Sequence, residues 1–141
     1  MSSSSNNKGV PMKKVIAGVV LGLVAWIIVA TIGNRLLRAG LAGYSDVEAT
    51  MAFTQPMMLA RLLLGAVSSL CAGYVATWTA GSGKGAAKAL AVVLLVVFVP
   101  MHIALWAKFP AWYHLTFLIS LGVLALFGAW LRLRQTGWTM A

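Results

Sequence analysis

Four long apolar runs constrain this chain more than any other feature of its sequence. They lie at residues 15–32, 57–79, 86–107 and 113–131, and the first and fourth contain no charged residue. Roughly 20 apolar residues in helical form cross the hydrocarbon core of a bilayer, with a range of about 17 to 25. Backbone groups in hydrocarbon have to bond within their own segment, which favours helices. The runs therefore predict an all-α membrane protein, a bundle of four transmembrane helices.

The charge content also indicates a membrane location. Of the 141 residues, 61% are hydrophobic and only 9% are charged, whereas a soluble domain carries about 25% charged residues. So few charges cannot cover a water-facing surface. The net charge of +9 does not indicate nucleic acid, because nucleic-acid binders cluster Lys and Arg on a folded polar face. Here the basic residues flank the apolar runs, so we expect no nucleic-acid partner.

The basic residues predict the orientation, since cytoplasmic loops carry an excess of Lys and Arg. One side of the predicted membrane has seven: Lys8, Lys13, Lys14, Lys84, Lys88, Arg132 and Arg134. The other side has four, Arg35, Arg38, Arg61 and Lys108, partly offset by the acidic residues Asp46 and Glu48. We therefore expect a multi-pass protein of the bacterial inner membrane with both termini in the cytoplasm.

Two tails are predicted to flank the membrane domain at 15–131. Residues 1–14 begin with a polar, low-complexity stretch that predicts a disordered cytoplasmic segment, and residues 132–141 predict a cytoplasmic C-terminal tail. The first span follows basic residues, as a cleaved signal sequence does. Its apolar length, however, exceeds the usual range of about 7 to 15, so we expect it to be retained. Met12, which precedes two lysines, resembles an alternative start.

The first loop, residues 33–55, is the only long one, and its arginines lie among leucines, as in an interfacial segment. Ser45 followed three places later by Glu48 has the spacing of a capping box, in which hydroxyl and carboxylate satisfy backbone amides at a helix start. We predict a short interfacial helix from Asp46 to about Thr54. The alternative is that Glu48 pairs with Arg61 or serves a site.

Small residues at four-residue spacing predict close contacts between helices. Gly18 and Gly22 form one such pair in the first span, and Gly65, Ser69 and Gly73 form a series in the second. In lipid, helices associate through close packing of small residues and through interhelical hydrogen bonds. We expect both stripes to be buried contacts, either within the chain or at the face of a homodimer.

Both histidines of the chain flank the predicted turn between the third and fourth spans. His102 and His114 are each six residues from Lys108, so a helical hairpin would place them at similar depth. Pro100 frees a carbonyl in the preceding turn, which predicts a kink beneath His102. Three hypotheses follow. In the first, His114 lies at the membrane interface and His102 hydrogen-bonds a neighbouring helix or the carbonyl freed by Pro100. In the second, both histidines bind one metal ion or haem. In the third, His102 and Arg61 form a pocket that binds an anionic or quinone-like molecule.

No set of residues indicates catalysis, because the serines within spans are remote from either histidine and no carboxylate is placed to join them. The spans contain no Asp or Glu, which argues against proton-coupled cation transport, but uncoupled transport or a channel in an oligomer stays open. Two histidines without a third firm ligand are a weak metal signal, so we expect no metal and no cofactor. The sequence favours a non-enzymatic accessory or structural membrane protein. Its expected partners are membrane lipids, a second copy or another membrane protein.

Overall fold

A computed structural model describes residues 9–138, which contain helices and no strand. Within these residues the chain forms five helices: α1 (Met12–Gly40), α2 (Tyr44–Glu48), α3 (Gln55–Ala80), α4 (Gly85–Ala104) and α5 (Ala111–Trp138). All except α2 are long and apolar enough to span a membrane. The all-helical prediction is confirmed, and so is the prediction of four helices of membrane length. The short helix in the first loop has five residues and begins earlier than predicted.

The helix ends differ from the predicted ends of the spans. α1 begins at Met12, inside the predicted N-terminal tail, and α5 continues to Trp138, inside the predicted C-terminal tail. α4 ends at Ala104, before the predicted end of its span. The predicted spans were bounded by the ends of the apolar runs, whereas a helix ends where its backbone hydrogen bonding ends. The two boundaries therefore differ. The outermost residues of the tails, 1–8 and 139–141, lie outside the described residues.

α3 is the central helix of the bundle. It packs most extensively against α1 and α5, while α4 contacts α5, α1 and α3. Successive long helices run in opposite directions, so α1 and α4 end where α3 and α5 begin. We call this end, which carries α2, the α2 end. The opposite end, where α1 begins and α5 ends, is the terminal end.

Glycines of α1 allow close packing towards the terminal end. Gly18 and Gly22 are buried, and they face the carbonyl oxygens of Ala76 and Ala72 on α3. A Cβ built at Gly18 would lie 2.6 Å from the first oxygen, and one at Gly22 would lie 3.0 Å from the second. Leu90 of α4 closes the other side of Gly22. Any larger residue would therefore force α1 away from its two neighbours.

Glycines also set the distance between α3 and α5. Gly73 of α3 is buried against the backbone of Ala125 on α5. Gly128 of α5 lies against the backbone of Leu70 on α3. A Cβ at either glycine would collide with main-chain atoms, which cannot rotate aside as a side chain can.

Contacts nearer the middle of the bundle involve aromatic rings. The Ser69 hydroxyl donates to the Gly65 carbonyl at 2.8 Å and accepts from the Trp26 indole of α1 at 3.1 Å. The Trp26 ring packs on Phe98 of α4 with centroids 4.8 Å apart, and Gly65 faces the ring of Phe117 on α5. The five residues singled out by their spacing are all buried within this single chain. The homodimer face stays a prediction.

Candidate functional site

A hydrogen-bonded polar network occupies the α2 end of the bundle. Arg61 on α3 donates through Nη1 to the Tyr44 hydroxyl at 2.7 Å, and this hydroxyl donates to Asn34 Oδ1 on α1 at 2.9 Å. Tyr44 is completely buried. Because its phenol accepts from a cation and donates to an amide, one side chain ties α1, α2 and α3 together.

Glu48 ends the network on the side away from Arg61. Its Oε1 accepts from Asn34 Nδ2 at 3.1 Å and from Arg38 Nη2 at 3.0 Å, and its Oε2 lies 2.8 Å from Arg38 Nε. Hydrogen bonds from the Arg38 guanidinium and then from the Asn34 amide lower the pKa of the Glu48 carboxyl, because both favour its charged form. The negative charge of Glu48 is therefore already matched by Arg38.

The predicted capping box is not formed. α2 begins at Tyr44 and is preceded by Gly43, whose φ of 75° is in the left-handed region, and no side chain caps the helix start. Ser45 is inside this helix, and Glu48 is its last residue. The Glu48 carboxylate bonds the side chains of Arg38 and Asn34 on α1 instead of a backbone amide of its own helix. The alternative of a direct pair between Glu48 and Arg61 is not formed either, since the network places other side chains between them.

The Arg61 side chain is partly buried in the bundle. Its guanidinium carbon lies 4.6 Å from the centre of the Phe53 ring, which is a cation–π distance. Its Nε is buried and has no hydrogen-bond partner among residues 9–138. Within the same residues, the only carboxylate in an ion pair is that of Glu48, and its partner is Arg38. A partly buried arginine whose Nε has no hydrogen-bond acceptor is energetically costly in a membrane span. Arg61 therefore marks a candidate site.

A cavity of about 220 Å³ opens beside this network. Its polar wall consists of Asn34, Glu48, Arg61 and Tyr113, and its apolar wall includes Met51, Leu64 and Phe117. A neighbouring groove of about 400 Å³ along α1 shares Ala30 and Asn34 with the cavity and adds Arg35 and Arg38. The two spaces together present three arginines and one glutamate, so their lining has an excess of positive charge.

An apolar groove adjoins the cavity. It runs between α1 and α3, has a volume of about 430 Å³, and is lined only by apolar residues. Leu64 lines both the groove and the cavity. A hydrocarbon chain in the groove would therefore contact Leu64, which belongs to the apolar wall of the cavity.

His102 and His114 form a direct pair at the same end of the bundle. Their Nδ1 atoms are 2.7 Å apart, and both side chains are buried. The structure thus brings together the two histidines that the hairpin spacing placed at similar depth. His114 is buried against the rings of Trp106 and Phe109, and its position at the membrane interface stays a prediction. The partner of His102 is His114 rather than the carbonyl freed by Pro100.

The hydrogen bond determines the tautomers of a neutral pair. One Nδ1 carries the hydrogen atom, and the other Nδ1 accepts it. His114 Nε2 is buried and has no partner in the described chain. Buried N–H donors are left unpaired more rarely than buried acceptors. We therefore assign the Nδ1 hydrogen to His114 and the Nε2 hydrogen to His102.

The histidine pair does not complete a metal site. Zinc in proteins usually takes four ligands, and the described residues hold no group of three or more His, Cys, Asp or Glu side chains that could bind a metal ion. Two nitrogen ligands of a tetrahedral zinc lie roughly 3.3 Å apart. The observed separation of 2.7 Å is shorter and is that of a hydrogen bond. The geometry therefore gives the metal hypothesis no support.

Arg61 and the histidines lie on opposite sides of an aromatic wall. The Phe117 ring stacks on His102 with centroids 4.6 Å apart, and the Tyr113 ring is 6.2 Å from the same histidine. Both rings also line the cavity that contains Arg61. The cavity therefore includes Arg61 but not His102, whose ring stacks on its wall, and the binding of a ligand there stays a prediction.

Asn34, Tyr44 and Tyr113 belong to the site but were not predicted from the sequence. Asn34 lies four residues before Arg38, which places the two side chains on one face of α1. That spacing is a usable signal for a shared polar face. Tyr44 and Tyr113 have no comparable signal, because each reaches the site only through packing between helices that are distant in sequence.

Comparison with known proteins adds no function to this site. No protein-family model, no curated protein and no solved structure matches the chain. What the site does is therefore argued from its own residues.

Proposed function

We propose that this chain is a non-enzymatic accessory protein of the membrane that binds the anionic headgroup of a lipid in the cavity beside Arg61. The observation that carries the proposal is the partly buried Arg61 side chain, whose Nε is buried and has no acceptor among the described residues. A phosphate or carboxylate would supply both the missing acceptor and the missing negative charge. Arginine suits such groups because its planar donors match their oxygens.

The charges around the cavity favour an anion over a cation. Glu48 is matched by Arg38, so its charge is not available to a ligand. Arg61 lines the cavity and Arg35 lines the adjoining groove, and neither has an ion-pair partner in the described chain. The hydroxyl of Tyr113 adds a neutral donor. A headgroup oxygen in this space would replace the water that Arg61 loses on burial.

The apolar surroundings favour a lipid over a free ion. The cavity of about 220 Å³ has room for a headgroup, and the groove of about 430 Å³ that it meets at Leu64 is apolar throughout. The headgroup would then lie in the cavity with its polar wall, and the acyl chain would lie in the apolar groove. With the predicted orientation, such a lipid belongs to the outer leaflet.

The test is lipid binding by the full chain in a mild detergent, measured by native mass spectrometry. The probes are dioleoyl phosphatidylglycerol, which is anionic, dioleoyl phosphatidylcholine, which is zwitterionic, and free glycerol phosphate. We expect one phosphatidylglycerol to bind more tightly than phosphatidylcholine. Arg61→Gln should weaken it roughly 10- to 100-fold, the effect of losing one charge-assisted contact of about 1.5–3 kcal/mol.

Arg134→Gln is the matched control, because Arg134 also lies over an aromatic ring, that of Trp130, but on α5 near the terminal end. It should bind phosphatidylglycerol as the wild type does, and Arg61→Lys should keep part of the binding. The proposal fails if Arg61→Gln binds as tightly as Arg134→Gln, or if the two lipids bind equally well. Glycerol phosphate binding with the affinity of the lipid would mean that the cavity takes a free anion.

A further inference from the structure

The charges that line the cavity and the groove along α1 do not cancel. Three arginines line these two spaces, Arg61 in the cavity and Arg35 and Arg38 in the groove. Glu48 matches only Arg38. The other acidic side chain of the sequence, Asp46, lines neither space. Two positive charges are therefore left without a counter-charge among the described residues.

The two unmatched arginines line separate spaces that adjoin each other. Arg61 lies on α3 and lines the cavity, whereas Arg35 lies on α1 and lines the groove. The two spaces share only Ala30 and Asn34, which are four residues apart on α1. Because each arginine lines a space of its own, the geometry favours a ligand with two anionic groups over a ligand with one.

Neutral donors line the space between these two arginines. Asn34 lies where the cavity and the groove meet. Its Nδ2 carries two hydrogens, and Glu48 accepts one of them. Thr31 lines the groove and precedes Arg35 by four residues, so its hydroxyl lies on the same face of α1 as that guanidinium. The oxygens of an anionic headgroup would therefore meet hydrogen-bond donors in both spaces.

We propose that the lipid bound beside Arg61 carries two phosphate groups, one on Arg61 in the cavity and the other on Arg35 in the groove. This inference rests on the proposed function and names the class of headgroup. Guanidinium groups bind phosphate through paired N–H donors. Because both phosphates belong to one molecule, the second contact forms at a high effective concentration once the first is made. A lipid with a single phosphate would leave Arg35 unmatched.

The test compares tetraoleoyl cardiolipin, which has two phosphates joined by a glycerol, with dioleoyl phosphatidylglycerol, which has one. Each lipid is titrated onto the full chain in mild detergent, and binding is measured by native mass spectrometry. We expect cardiolipin to bind more tightly to the wild type. Arg35→Gln should lower the ratio of the two affinities roughly two- to fivefold, the effect of one exposed ion pair. Arg61→Gln should weaken the binding of both lipids.

Lys108→Gln is the matched control, because Lys108 is exposed at the α2 end, as Arg35 is, but lines neither space. It removes the same charge and should keep the wild-type ratio. Arg35 forms no ion pair in the described chain, so its replacement should leave the protein folded. An unchanged ratio in Arg35→Gln, or an equal fall in Lys108→Gln, overturns this inference and leaves the proposed function in place if phosphatidylglycerol still requires Arg61. Failure of both lipids to bind the wild type overturns the proposed function as well.

Discussion

Replacing Gly73 by alanine should destabilise the protein, although the same change in an isolated helix is stabilising. An interior Gly→Ala substitution gains about 1 kcal/mol in helix propensity. In this chain, the new methyl group would meet the main-chain atoms of Ala125 on α5. Because the obstacle is backbone, α3 and α5 have to move apart. Overpacking of a tight contact costs typically about 1–3 kcal/mol.

We take the upper end of that range because α3 and α5 are in main-chain contact at two places. Separation at Gly73 also loosens the contact of Gly128 with the backbone of Leu70, which joins the same pair of helices. A cost of about 3 kcal/mol, less a propensity gain of about 1 kcal/mol, gives a net destabilisation of about 2 kcal/mol.

The assay is equilibrium unfolding in mixed micelles with increasing SDS, followed by helical circular dichroism. The matched control is Gly122→Ala on α5, where a Cβ meets nothing within 4 Å. It should be neutral or stabilising by about 1 kcal/mol at most. Gly73→Ala should therefore lower the unfolding midpoint, whereas Gly122→Ala should leave it unchanged or raise it. Equal midpoints would refute the argument that main-chain contact sets the distance between α3 and α5.

Two further predictions concern the polar network. Tyr44→Phe removes a buried acceptor and a buried donor at once, so we expect a loss of about 2–4 kcal/mol in unfolding free energy. Tyr74→Phe, which removes an exposed hydroxyl bond, should cost less than about 1 kcal/mol, and equal losses would contradict the network's role. Because the pKa of Glu48 is lowered in the folded chain, its stabilisation is present above the ordinary value of about 4.3 and is lost as the pH falls through the folded value. Glu48→Gln should therefore be less stable than the wild type at pH 7 but not near pH 3, and a constant difference would argue against the pair with Arg38.

The membrane-length helices were predictable because their signal is local. Length and apolarity of a run suffice to predict a helix of spanning length, and no knowledge of its neighbours is needed. The small-residue stripes are also local, since Gly18 and Gly22 are one turn apart on one face. Their partners were not predictable. Gly128 on α5, for example, contacts α3, although no spacing in the sequence links the two helices.

The site was less predictable because its bonds join distant segments. Ser45 and Glu48 have the right spacing for a cap, but the carboxylate bonds Arg38 of α1 instead. His114 follows Trp112 and Tyr113, which is a typical interfacial context, yet it is completely buried. The turn after α4 folds the rings of Trp106 and Phe109 over it. Such burial depends on the path of the chain, and periodicity does not report that path.

The main-chain contacts between helices and the candidate binding cavity lie towards opposite ends of the bundle. Towards the terminal end, glycine and alanine bring the backbones of neighbouring helices into contact. At the α2 end, the wall between helices is built from rings such as Phe117, and these larger spacers leave a cavity. Arg61→Gln should therefore weaken lipid binding, and Gly73→Ala should lower the unfolding midpoint while the affinity of the folded fraction is kept. If Gly73→Ala weakened lipid binding by the folded fraction as much as Arg61→Gln does, the helix contacts at the terminal end and the cavity at the α2 end would not be separable.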